Sequence, residues 1–125
     1  MIRIRITRHR DGLDIHAVGH AGYAPRGEDI VCAGISALLY GFVAYLNDLS
    51  SVATAEESAC RETLFHWKVS ERDGELRVRT RGCTSRVGEG LSVVVAGISL
   101  IARAYPQLVV LEDIISQEGD VYEST

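Results

Sequence analysis

From its first residues the chain alternates. Ile2, Ile4 and Ile6 fall on one side of an extended segment, with Arg3, Arg5 and Thr7 on the other, the period-two pattern of a strand with one buried and one wet face. Asp11-Gly12 is a hairpin signal, and Leu13, Ile15 and Ala17 carry the alternation into a second strand ending near Gly19. The pattern then stops. From His20 to Glu28 the chain reads as a loop, and Gly22, Pro25 and Gly27 give it breaks and freedom to move. From Ile35 the positions Leu38, Leu39, Phe42, Val43, Leu46 and Leu49 recur at the spacing of one helical face. Asp29 stands before this helix, where its carboxylate can accept from the amides of Val31 and Cys32 and set Cys32 in the opening turn.

After a polar connection from Ser50 to Ser58, the stretches Glu62 to Ser70 and Glu75 to Arg81 read as strands joined by Asp73-Gly74, a second hairpin. Thr84 or Ser85 is expected to cap a second helix. Its Leu91, Val94, Val95, Ile98, Ile101, Ala102 and Tyr105 share one face until Pro106 stops it. Leu108 to Ile115 is β-rich with apolar residues on both faces, the pattern of a central strand. The order strand, strand, helix, strand, strand, helix, strand predicts an α/β two-layer sandwich. In it a mixed, mostly antiparallel sheet of about five strands is covered by two long helices. Residues 1–116 are expected to form one domain and 117–125 a loose polar tail.

Composition narrows the function. A chain of 125 residues leaves no room for a second substantial core, and 46% hydrophobic with 24% charged residues is an ordinary folded composition. Thirteen Lys plus Arg against seventeen Asp plus Glu leave a net charge of −4. That is the wrong sign for a protein held to nucleic acid by phosphate neutralisation. The apolar run from Ala33 to Leu46 is interrupted by small residues and too short for a bilayer, and the N-terminus lacks the pattern of a signal peptide. Cys32, Cys60 and Cys83 are odd in number and have no paired spacing, so neither a disulfide framework nor a structural zinc site is expected and a reducing cytoplasm fits. Cys60, Cys83, His9, His16 and His66 read as structural, and Phe65 with Trp67 as core. Arg3, Arg5, Arg77, Arg79 and Arg81 read as a solvated sheet face, with an acidic partner or ribosomal RNA as the alternative.

The segment with chemistry is GHAGYAPRGEDIVCAGISALLYG, from Gly19 to Gly41. Unpaired amides and aligned peptide dipoles at a helix N-terminus favour thiolate over thiol, which makes Cys32 the candidate nucleophile. His20 lies across a loop that can fold its imidazole back to share the thiol proton and later protonate a leaving amine. Amides of the same turn can hold the oxyanion formed on a peptide carbonyl. Asp29 has two possible tasks, capping the helix or orienting His20. Ser36, one helical turn beyond Cys32, either reaches the neighbourhood of the sulfur or bonds its own helix backbone. Against all of this stands the commonest use of a single cysteine, burial in a core.

This segment resembles the signature of the bacterial ribosomal-processing cysteine protease family, Prp. The matching residues are Gly19-His20-Ala21, Gly27-Glu28-Asp29-Ile30-Val31-Cys32-Ala33 and Ser36-Ala37-Leu38. Pro25-Arg26 and Gly34-Ile35 depart from the family pattern. The resemblance implies a catalytic dyad of His20 and Cys32 in a site lined by Asp29 and Ser36. It also implies a mobile cover from Gly22 to Gly27 over the substrate groove. It further implies a cytoplasmic, dimeric cysteine endopeptidase without metal or cofactor. Such an enzyme removes a short N-terminal extension from a large-subunit ribosomal protein, the one numbered twenty-seven. Two other classes compete: a non-enzymatic ribosome-assembly or regulatory binding module of the same fold, and a thiol redox sensor, which lacks a resolving cysteine close in sequence.

Overall fold

A computed structural model describes residues 1–25, 27–53 and 65–116. The elements are β1 (Ile2–Arg8), β2 (Gly12–Val18), α1 (Ile30–Ala53), β3 (His66–Arg72), β4 (Glu75–Arg81), α2 (Thr84–Ala104) and β5 (Val109–Ile115). The strands form one sheet in the order β3-β4-β2-β1-β5. Every neighbouring pair is antiparallel except β1 with β5. This is the expected mixed sheet with two long helices.

Alternation in sequence becomes a core through the register. Ile4 pairs with Ala17 and Ile6 with Ile15, while Ile15 pairs with Val78 and Ala17 with Leu76. One face is therefore apolar across three strands, and Ile6, Ile15 and Val78 are 0% exposed. Val31, Ile35, Leu39, Phe42 and Leu46 of α1 join this cluster, as do Val87, Leu91, Val94 and Ile98 of α2. Each such side chain contributes about 1.5–3 kcal/mol on leaving water. Both helices are long and apolar enough, by length and composition alone, to cross a membrane. That exceeds what the Ala33 to Leu46 run suggested, yet their apolar stripes are used against the sheet.

The other face carries the arginines, as expected. Asp14 meets Arg77 at 2.9 Å and Arg79 at 3.7 Å, Asp11 meets Arg81 at 3.2 Å, and Glu112 meets Arg5 at 3.7 Å. His16 Nε2 lies 2.7 Å from Glu75 Oε2, a hydrogen bond that holds the Glu75 carboxyl below its ordinary range. Trp67 and Phe65 pack against the core, and the Trp67 indole donates to Ser50 Oγ at 2.9 Å.

Five expectations need correction. β5 is an edge strand, not a central one. Its apolar residues come from a parallel crossover that lays it beside β1 alone, a position that local composition does not encode. α1 runs on through Ser50 to Ala53, turns read as connection, because Ser50 has a tertiary partner in Trp67. β3 begins at His66 and runs to Arg72; the expected start at Glu62 lies outside the described residues. The cap of α2 is neither Thr84 nor Ser85 but Cys83, held left-handed at φ 53° with no side-chain cap bond. Cys83 is also disulfide-bonded, so the expectation of a chain without disulfides fails, and with it the cysteine argument for a reducing compartment. The predicted tail, 117–125, and Cys60 lie outside the described residues.

The helices meet closely. A Cβ at Gly90 would lie 2.5 Å from the Tyr45 ring and one at Gly97 would lie 2.8 Å from Leu38 Cδ2. At these two positions the absent side chain is what lets the facing helix approach.

Candidate active site

The site grows from the end of β2. Gly19 has φ +103°, and a Cβ there would lie 2.1 Å from the Met1 carbonyl oxygen, so only glycine fits. Its amide donates to the Gly74 carbonyl at 2.8 Å, which ties the strand end to the β3–β4 turn. His20 leaves this turn exposed. A Cβ at Gly74 would lie 2.9 Å from its Nε2, so the imidazole lies against that turn.

The next residue turns inward. Ala21 is 2% exposed and its amide donates to Cys32 Sγ at 3.2 Å. Gly22 and Gly27, at φ +72° and +92°, hold left-handed conformations that glycine adopts without strain, and the space around both is open. The loop closes back on Asp29. Asp29 Oδ1 accepts from the amides of Val31 at 3.0 Å and Cys32 at 2.9 Å, while Oδ2 accepts from Tyr23 at 3.0 Å. The Cys32 amide above all holds this carboxyl below its ordinary range, helped by Tyr23, Ala24 and Val31 against a smaller opposing effect of desolvation. Of the two tasks open to Asp29 from sequence, the structure displays the cap.

Cys32 is a free, half-buried thiol in the first turn of α1. Two clefts meet at it. The larger, about 460 Å³, runs beneath the loop and is lined by His20, Gly22, Ala24, Gly27, Asp29, Cys32, Ala33 and Ser36. The smaller, about 170 Å³, again includes His20, Cys32 and Ser36 but extends to Tyr40, Arg72 and Glu75. Tyr40 donates its hydroxyl to Glu71, which pushes its own ionisation upward. All six residues singled out in the sequence therefore line this one region. Ala21, Gly74, Tyr40, Arg72 and Glu75 were not anticipated. Ala21 acts through its backbone, Tyr40 lies about two turns beyond Cys32 on α1, and Arg72, Gly74 and Glu75 arrive from the distant β3–β4 hairpin; only the adjoining Gly19-His20 pair hinted at a backbone turn. Among the described residues no group of three or more His, Cys, Asp or Glu is arranged to hold a metal ion.

The family model of the cysteine protease Prp matches residues 1–110. The chain belongs to the Prp family of cysteine proteases. A ribosomal processing cysteine protease Prp from Mycoplasma pneumoniae is 28% identical over 113 residues, covering 90% of this chain and 95% of that protein. The Bacillus subtilis Prp is 42% identical over a shorter stretch, 34% of this chain and 40% of its own length. Among solved structures, the S. aureus Prp with a covalently linked product peptide superposes with a TM-score of 0.69 at 24% identity, covering 90% of this chain and 99% of that one. SMU.848 from Streptococcus mutans gives 0.60 at 24% identity, over 93% and 96% of the two chains. At that identity these two establish the common fold.

Proposed function

We propose that this Prp-family protease removes a short N-terminal extension from the large-subunit ribosomal protein numbered twenty-seven, with Cys32 as nucleophile and His20 as general base and then acid. The observation that carries the reading is the free Cys32 thiol at the start of α1, sharing both clefts with His20. Cys32 Sγ attacks the scissile carbonyl carbon as its proton passes to the imidazole. The oxyanion collapses, the C–N bond breaks, and the imidazole returns the proton to the departing amine. Water then attacks the thioester, losing a proton to His20, and the thiol is restored. The amides around the sulfur are already engaged, that of Ala21 with Cys32 Sγ and those of Val31 and Cys32 with Asp29, so holding the oxyanion with them requires one of these bonds to be exchanged. Asp29 fixes the helix start, Ser36 lines both clefts, and the loop with Gly22 and Gly27 covers the groove. Two clefts meeting at one sulfur suit an extended chain cut at its middle.

In this reading residues 1–116 are the catalytic unit, no metal or cofactor takes part, and the enzyme works in the cytoplasm, where ribosomes assemble. The ion pairs on the arginine face support a protein substrate over direct nucleic-acid contact. Val93 and Leu100, 73% and 63% exposed one face apart from the core on α2, support a homodimer, which sedimentation over a range of concentrations would reveal.

The decisive assay incubates the protein with the full-length ribosomal protein encoded in the same genome and follows its N-terminus by mass spectrometry. Wild type is expected to shorten it, Cys32→Ala to leave it intact, and His20→Ala to trim it only at a small residual rate. Unchanged trimming by Cys32→Ala overturns the assignment, and tight binding of the ribosomal protein without any cleavage by wild type would favour the binding module.

A further inference from the structure

We infer that Gly74, in the turn between β3 and β4, is a positioning residue for the His20 imidazole; the inference rests on the role proposed for His20. Two contacts tie this turn to the site. The Gly74 carbonyl accepts the Gly19 amide at 2.8 Å, fixing the backbone one residue before His20. A Cβ on Gly74 would lie 2.9 Å from His20 Nε2, 3.5 Å from Cδ2 and 3.6 Å from Cε1, so the tip of the ring rests where a side chain would be.

The backbone also demands glycine, since Gly74 has φ +73°. The hairpin therefore explains the residue's presence, but not why a ring from another element fills the space beside it. Because His20 is exposed, it is free to swing away when that space is taken, whereas the turn is anchored in the β3–β4 ladder. A side chain at position 74 thus moves the imidazole more readily than the hairpin. Arg72 and Glu75, on either side of the turn, line the smaller cleft with His20 and Cys32. The turn is accordingly a wall of the site and a stop for the ring.

The test separates a path through His20 from general damage. Gly74→Asn tolerates the left-handed backbone yet brings a Cβ, and Gly74→Ala brings the smallest one. Each is expected to lower kcat about tenfold or more with KM within about twofold, because misplacing a general base by about 1 Å is costly. In the His20→Ala background the same substitutions are expected to change the residual rate no further. Equal losses in both backgrounds, or folded variants with unchanged kcat, overturn the inference. Full activity of His20→Ala alone overturns the proposed role of His20 instead, a distinct result. Should neither variant fold, NMR of the wild-type protein decides: cross-peaks between the His20 ring protons and the Gly74 α-protons are expected, and their absence refutes the contact.

Discussion

Each long helix of this protein starts at a cysteine, and the two starts differ in almost everything else. Cys32 lies in the first turn of α1, free and half-buried, with the amides of Val31 and Cys32 bonded to Asp29. Cys83 precedes α2, 7% exposed and disulfide-bonded, at a start with no side-chain cap. Both share the helix dipole. What distinguishes Cys32 comes from outside its helix: an amide from Ala21, an imidazole from the end of β2, and open space on two sides. A helix start favours a thiolate, but surrounding elements decide whether the sulfur can meet a substrate.

Substituting each cysteine should break the comparison most sharply. Cys32→Ala is expected to lower kcat by more than about 10³-fold while leaving denaturant unfolding nearly unchanged. Cys83→Ala should do the reverse, lowering stability by about 2–4 kcal/mol in non-reducing buffer with kcat per folded molecule within about twofold. Comparable losses of kcat in both variants would erase the distinction between the two starts.

A smaller effect is expected at the α1 cap. Asp29→Ala should lower the melting temperature by a few degrees and slow cleavage, with Asp29→Asn retaining most of both, because a neutral oxygen still accepts. Cleavage and melting unaltered by Asp29→Ala would show that the cap is dispensable. The smallest effect is in pH. The Asp29 carboxyl is held below its ordinary range by the Cys32 amide first, so its contribution to stability is present above the unfolded-state value of about 3.9. It disappears as pH falls through the lower folded-state value. The melting difference between wild type and Asp29→Asn is therefore expected to be constant above about pH 5 and to close in stronger acid. A gap that widens there would contradict the bonds drawn to this carboxylate.

Much of this was legible because local pattern and tertiary role coincide. Ile2, Ile4 and Ile6 alternate and are buried, the α1 and α2 stripes face the sheet, and Asp29 caps the amides its spacing indicated. Reading failed where a distant partner decides. β5 looks central because Leu108 to Ile115 carries apolar residues on both faces, but its place is set by a crossover beside β1. Cys83 is disulfide-bonded, which cysteine spacing does not reveal. Gly90 and Gly97, poor helix formers by composition, make sense only once Tyr45 and Leu38 are seen to fill the space they leave. For the site, residue identities were readable, but the resting place of the His20 ring depended on a turn more than fifty positions away in sequence.

The carboxylate of Asp29 divides its work. One oxygen serves the helix through Val31 and Cys32, and the other serves the preceding strip of chain through Tyr23. If that strip lifts to admit a polypeptide, the bond on Oδ2 is surrendered while both bonds on Oδ1 stay in place. The gate and the doorpost hang from one residue but on separate hinges, so a visitor can enter without loosening the sulfur it has come to meet.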